Sequence, residues 1–196
     1  MPVNISGNGL FTGASSINGL TLPTDSFSPG LVKITDSTFS AVSAVNINNC
    51  FSATYDNYTM VLNNVSFDSG VNRALYLRLR ASSTDASGAT DYVTNQLFQY
   101  AASTSGAVGT TTSYISLGDA SNTTITLGLR ANIFNPRINT FTQFEFSAHR
   151  YQDNVANYTL LIGAGSHKVA YQADGFSLIV ASGTFSGTVR VYGYRN

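Results

Sequence analysis

The sequence predicts an all-β protein, an antiparallel β-sandwich of jelly-roll-like type with an extended N-terminal arm. The first observation is that short segments alternate apolar and polar residues, which is typical of half-buried strands. The second is that Gly, Ser, Asp and Asn cluster between these segments, as they do in turns. The third is that only 10% of the 196 residues are charged, against about 25% in ordinary soluble domains. Exposed helix faces normally need Glu and Lys, and the chain has one Glu and two Lys, so the composition favours strands.

Residues 1–35 differ from the rest of the chain and are predicted to form the arm. They contain three of the four prolines and five of the glycines, and they show no sustained periodicity. Such a segment cannot bury a core of its own, so we expect it to become ordered against another subunit or particle protein. Residues 36–196 are predicted to form the sandwich.

Two segments of the sandwich show the alternation most clearly. In residues 73–80, Leu75, Leu77 and Leu79 are expected to face inward, and in the C-terminal run Val189 and Val191 do the same. The other strand candidates, in chain order, are residues 39–47, 58–67, 96–101, 111–117, 123–129, 131–134, 144–148, 158–162 and 176–180. The turn at residues 182–184 is predicted to close a β-hairpin between the last two strands.

The outward residues of the two clearest strands combine arginine with tyrosine. The predicted surface residues are Tyr76, Arg78, Arg80, Arg190, Tyr192 and Tyr194. Arg and Tyr are enriched at subunit interfaces, and an exposed Tyr also stacks on sugars or anchors a contact at low entropic cost. Both alternatives, a subunit interface and a ligand-binding surface, remain open at this stage, and the interface is favoured.

No arrangement of residues in the sequence indicates catalysis, and no cofactor is expected. The chain has no Gly-X-Ser-X-Gly elbow that would expose a nucleophile. By strand alternation His149 falls on the face of Glu145 and Ser147, while His167 is assigned to a glycine-rich loop at residues 163–168. Cys50 precedes Phe51 at a strand end and is expected to be a small buried apolar residue.

One loop, residues 82–91, carries two carboxylates at short spacing. Asp85 and Asp91 are oxygen ligands of the kind that Ca²⁺ prefers, but the loop departs from the EF-hand pattern because it has no terminal Glu. A solvated turn explains the same residues. The sequence therefore predicts no metal site, and these two aspartates are the weak candidates for one.

The charge balance of the chain limits the kinds of binding partner that we expect. The formal net charge is zero, so the chain lacks the basic footprint of a nucleic-acid-binding protein. No apolar run reaches the roughly 18 residues that span a bilayer, and a signal peptide is not recognisable at the N-terminus. Near-zero charge removes the repulsion that keeps copies apart, so we expect a homo-oligomer.

An ordered set of segments resembles a β-rich structural module found in virion proteins of tailed bacteriophages, notably the fibre or fibre-like proteins of marine phages and cyanophages. The segments are TFSAVSAVNINNCF at 38–51, YDNY at 55–58, VLNNV at 61–65, LRLRASSTD at 77–85, IFNP at 133–136, ADGFSL at 173–178 and SGTFSGTVRVYGY at 182–194. The resemblance covers roughly residues 38–196. It implies a non-enzymatic particle component that assembles as a trimer and is made in the bacterial cytoplasm before joining the virion.

Two roles follow from this resemblance. In the first, a fibre or adhesin-like protein attaches to the particle through residues 1–35 and contacts a glycan or protein of the host surface. The loops expected to make that contact are residues 82–92, 103–111 and 163–168. In the second, a capsid decoration protein uses the same arm to staple the major capsid protein and reinforce the shell.

Overall fold

The computed structural model describes residues 16–17, 20–21, 30–68, 73–100, 103–120, 127–152 and 157–194. These residues contain strands and no helix, and hence no helix capable of crossing a membrane. The strands are β1 (Ser16–Ile17), β2 (Leu20–Thr21), β3 (Leu31–Val42), β4 (Ala44–Ile47), β5 (Asn57–Phe67), β6 (Arg73–Ala81), β7 (Thr84–Asp85), β8 (Tyr92–Tyr100), β9 (Ser103–Thr112), β10 (Ile115–Ala120), β11 (Leu127–Phe134), β12 (Thr140–Gln152), β13 (Asn157–Tyr171), β14 (Gly175–Val180) and β15 (Phe185–Tyr194).

Two antiparallel sheets build the main body. The larger has eight strands in the order β3-β15-β5-β11-β12-β13-β8-β9. The smaller has the order β10-β6-β14-β4, and β7 pairs with β6. The prediction of an all-β antiparallel fold is confirmed, and two sheets around one core agree with a sandwich. The jelly-roll-like topology stays a prediction.

The chain divides into two compact units, Met1–Leu31 and Val32–Asn196. In the first, β1 and β2 form a two-stranded antiparallel pair. Most of the predicted arm lies outside the described residues, so its extended character stays a prediction. Strand β3 starts at Leu31, inside the segment assigned to the arm.

One hydrophobic core lies between the two large sheets. Leu75, Leu77 and Leu79 of β6 are fully buried, as their alternation predicted. Phe51 joins the layers, since its ring centroid lies 4.7 Å from that of Tyr58 on β5 and 5.9 Å from that of Phe176 on β14. Apolar side chains from both sheets thus exclude water from a shared interior, which stabilises the fold by the hydrophobic effect.

Three strand predictions are wrong in their boundaries or pairing. Residues 39–47 form two strands in different sheets, because Ala41 has a φ of 50° and the chain bends at Ser43. Residues 111–117 span a break at 113–114 between β9 and β10. The predicted hairpin at 182–184 does not pair its flanking strands; Gly183, with a φ of 72°, helps carry the chain from the smaller sheet to the larger.

Two predicted contact loops are strands. Residues 103–111 belong to β9, and residues 163–168 belong to β13. Their Gly and Ser residues suggested turns, but glycine here serves close packing within the sheets. The Phe146 ring covers Gly163, and a Cβ on Gly165 would lie 2.6 Å from the Val93 carbonyl oxygen. A glycine covered by a cross-strand aromatic ring is a known way to accommodate this residue in a strand.

Candidate interaction surfaces

The outer face of the five-stranded sheet is largely occupied by contacts within the chain, and we call it the closed face. Tyr76 stacks on Tyr114 with ring centroids 3.7 Å apart and planes inclined by 20°. Arg78 donates from Nε to the Ser113 carbonyl oxygen at 3.0 Å and from Nη2 to Ser113 Oγ at 3.2 Å. The short connection at residues 113–114, which joins β9 to β10, therefore contacts two of the predicted surface residues.

Arg80, predicted to be exposed, is buried, with 7% of its surface accessible. It forms an ion pair with Asp85 and also donates to the Ser83 carbonyl oxygen. Its further acceptors are Asn48 Oδ1 at 3.0 Å, Asn46 Oδ1 at 3.1 Å and Ser177 Oγ at 2.7 Å. Strand alternation does place Arg80 outward, but residues 46–48 and 82–85 fold over it. The predicted exposure of Arg80 is therefore wrong, whereas a part for it in an interaction surface stays a prediction.

The two candidate metal ligands, Asp85 and Asp91, each contact other side chains of the chain. The Asp85 carboxylate binds Arg80 and accepts a hydrogen bond from Ser177 Oγ at 2.6 Å. Asp91 lies beside a histidine, with Oδ2 3.9 Å from His167 Nε2. Within the described ranges, no group of three or more His, Cys, Asp or Glu side chains could hold a metal ion.

His167 lies in β13 and is buried, which corrects its assignment to an exposed loop. Its ring is 4.6 Å from that of Tyr92 and 5.4 Å from that of Tyr171. Neither ring nitrogen has a hydrogen-bond partner among the described residues. Burial lowers the pKa of His167 from its ordinary value of 6.5, and the nearby Asp91 only partly opposes this effect. His167 is therefore a neutral core side chain near pH 7.

This burial predicts a pH-dependent stability. The unfolded chain takes up a proton on His167 at about pH 6.5, whereas the folded protein resists protonation until a lower pH. The contribution of the neutral His167 to stability is thus complete above about pH 6.5, the unfolded pKa, and decreases as the pH falls from there through the folded pKa. We expect the free energy of unfolding, measured by urea titration, to decrease from pH 7 to pH 5 and this slope to flatten in His167→Gln. An equal slope in both proteins would contradict the assignment.

Two other sequence predictions are confirmed. Cys50 is buried, and burial raises the pKa of its thiol, so it is a packed apolar residue and not a nucleophile. His149 is exposed on the same side of β12 as Glu145 and Ser147. Its ring covers Gly128 on the neighbouring strand, where an added Cβ would lie 2.7 Å from the imidazole Cε1.

The outer face of the eight-stranded sheet is different, and we call it the open face. Its exposed large apolar side chains are Leu97, Phe141, Leu160, Ile162 and Tyr194. Its exposed charged residues include Arg130 on β11 and Glu145 on β12. Neither of these two makes an ion pair or a side-chain hydrogen bond with any residue that the structure describes. The open face thus presents apolar and charged groups that the chain itself does not satisfy.

The second set of predicted surface residues lies on the open face. Arg190 and Tyr192 are half-buried, and Tyr194 is exposed. The Tyr194 hydroxyl lies 2.9 Å from Thr59 Oγ1 and donates to Asn132 Oδ1 at 3.3 Å. Their role in binding stays a prediction. The strand register places them beside residues of the neighbouring strands: Tyr192 on β15 is opposite Thr59 on β5, and Thr59 is opposite Asn132 on β11.

A groove open to solvent, with a volume of about 720 Å³, crosses this face from β11 to β9. Arg130, Asn132 and Glu145 line one side, and Leu97 and Ile162 lie on the other. Our sequence prediction did not include these residues. The alternation around Leu127 and Leu129 would have placed Arg130 outward, but Leu97 fell in an ambiguous segment and nothing indicated that its neighbours would be β9 and β13.

Comparisons with known proteins give one weak structural similarity. No family model matches the chain, and the search of curated proteins gives no match. One solved structure, the CBM2 module of the evolved Dit protein of Lactobacillus casei BL23 phage J-1, aligns with 78% of this chain and 69% of its own length. The identity is 12% and the TM-score is 0.26. Similarity at this level supports no inference about fold or function.

Proposed function

We propose that this protein is a non-enzymatic structural component of a tailed-bacteriophage particle, assembled as a homotrimer of fibre or adhesin-like type. The ordered resemblance of residues 38–196 to phage fibre modules supports the class of protein. The observation that carries a contact function is the difference between the two outer faces. The aromatic and charged side chains of the closed face contact other groups of the same chain. The open face instead exposes five large apolar side chains, a property that marks interaction surfaces.

Host contact is assigned in this proposal to one end of the sandwich. Four loops meet there and are joined by backbone hydrogen bonds: Phe51 N to Asp174 O at 3.0 Å, Asn135 N to Asp56 O at 2.9 Å, and Ala173 N to Pro136 O at 2.8 Å. Residues 82–91 join them, since Ser82 N donates to Asp174 Oδ2 at 2.8 Å. Loops held in this way by a rigid sheet are suited to presenting polar residues to a glycan or a protein.

The geometry of the polar groups supports contact over catalysis. The buried His167 is 3.9 Å from Asp91, and the neighbouring Ser166 donates its hydroxyl to the Thr142 carbonyl oxygen at 3.4 Å. A nucleophile requires a base within about 3 Å and access to substrate. The arrangement at His167 provides neither.

The location of the protein on the particle tests this proposal. Virions carrying a C-terminal epitope tag on this chain, imaged by electron microscopy with gold-labelled antibody, should show label at the tail. Label distributed over the shell would overturn the fibre role and select capsid decoration. Purified particles without label, from a lysate that contains the tagged chain, would overturn both roles.

A truncation tests the proposed anchoring segment. Because β3 begins at Leu31, deletion should stop at residue 30 to leave the sandwich intact. We expect the shortened chain to keep the β-type circular dichroism spectrum of the full chain and to be lost from purified particles. Normal incorporation of the folded, shortened chain would contradict anchoring through this segment.

A further inference from the structure

The exposed apolar side chains of the described residues are concentrated on one surface. Eight large hydrophobic side chains are exposed in the described part of the chain, and five of them lie on the open face. A monomeric protein that carries so few charges has little to keep such a surface from associating. The distribution therefore indicates a surface that is covered when the protein is assembled.

The strand register makes the apolar side chains neighbours. Ile162 on β13 is directly opposite Leu97 on β8, and both are 52% exposed. Leu160 lies two residues along β13 on the same side. Directly opposed side chains on one face of antiparallel strands have Cβ atoms about 5 Å apart, so these three form one continuous apolar patch.

The charged groups beside the patch complement each other in sign. Arg130 on β11 is opposite Ser147 on β12, and Glu145 is two residues from Ser147 on the same side. The two side chains form no ion pair with each other in the described part of the chain. In a contact between two copies, Arg130 of one copy can meet Glu145 of the other. A charged ligand would complement only one of the two, whereas a second copy complements both.

We propose that the open face is the surface through which copies of this chain associate, with Leu97, Leu160 and Ile162 at its apolar centre and Arg130 facing Glu145 of the neighbouring copy. This inference rests on the oligomer of the proposed function and names the surface that forms it. The zero net charge of the chain agrees with association between identical copies.

Sedimentation equilibrium of the full chain tests the apolar centre. The wild type should have three times the 20.8 kDa mass of one chain, and Ile162→Arg should sediment as a monomer because its new charge would be buried at the contact. Leu31→Arg is the matched control, since Leu31 is 46% exposed on edge strand β3; it should keep the wild-type mass. An Ile162→Arg protein with the wild-type mass would overturn the inference and leave the proposed oligomer standing. A wild type that is monomeric at all concentrations would overturn both the inference and the trimer.

A charge exchange tests the pairing and separates it from misfolding. Arg130→Glu and Glu145→Arg should each weaken association by about 100-fold, since each places like charges together at the contact. The double variant Arg130→Glu/Glu145→Arg should restore association, because every contact of the trimer then again pairs opposite charges. Wild-type association in both single variants would overturn the pairing, as would a folded double variant that remains dissociated.

Discussion

Replacing Arg80 with alanine is expected to lower the free energy of unfolding by about 3–5 kcal/mol, the cost of breaking a buried ion pair from one side. The substitution removes the partner of Asp85 and leaves Ser177, Asn46 and Asn48 without their common donor. Because Ser177 is fully buried, water cannot replace the hydrogen bond that its hydroxyl loses without opening the sheet. Urea unfolding followed by far-ultraviolet circular dichroism measures the loss.

Arg78→Ala is the matched control for this experiment. Arg78 lies two residues away on the same side of β6 and makes two hydrogen bonds to Ser113, but it is only half-buried. We expect its removal to cost about 1 kcal/mol. If Arg80→Ala lowers the free energy of unfolding by no more than Arg78→Ala does, the hydrogen bonds and ion pair of Arg80 do not stabilise the fold. They then do not hold residues 82–85 in place either.

Replacing Gly175 with alanine is expected to lower the free energy of unfolding by about 3 kcal/mol. This is near the upper end of the usual effect of adding a carbon atom to a well-packed site. An added Cβ would overlap the carbonyl oxygen of Ile47 and lie 3.1 Å from the Asn48 Cα. Both are backbone atoms next to the Phe176↔Ile47 pair of the smaller sheet, so relief requires the strands to move apart. Thermal unfolding monitored by circular dichroism should show a clear fall in Tm.

Gly106→Ala provides the same chemical change in an open position. The nearest atom to an added Cβ at Gly106 is the Gln96 carbonyl oxygen at 3.6 Å, which is ordinary contact. We expect no loss of stability there, because alanine also restricts the unfolded chain. Equal Tm values for the Gly175 and Gly106 variants would mean that β14 does not pack against residues 47–48 as described.

The sequence was sufficient to predict the class of fold because alternation is a local property. The leucines of β6 and the valines of β15 are buried where their period-2 pattern places them. Sheet membership was not predictable in the same way, since it depends on contacts between distant residues. The short link at Ser43 and the turn at Gly183 both move the chain from one sheet to the other, and no local pattern distinguishes them from ordinary bends or hairpin turns.

The candidate surfaces show the same limit. Alternation places Arg80 and Arg190 equally well on outer faces, but only one of these faces is covered by loops of the same chain. For Arg80, the covering groups come from residues 46–48 and 82–85. The open face was missed in part because most of β9 and residues 163–166 of β13 consist of Gly, Ser, Thr and Ala, a composition shared by loops and by strands with small side chains.

Hydroxyl-radical footprinting of the assembled wild-type protein tests most directly the central claim that the open face is the working surface. Leu97 and Leu31 are the same residue type and are almost equally exposed in the single chain, at 52% and 46%. Because assembly should exclude water from the open face, we predict that Leu97 is oxidised about tenfold more slowly than Leu31. Equal oxidation rates at Leu97 and Leu31 in the assembled protein would contradict the account.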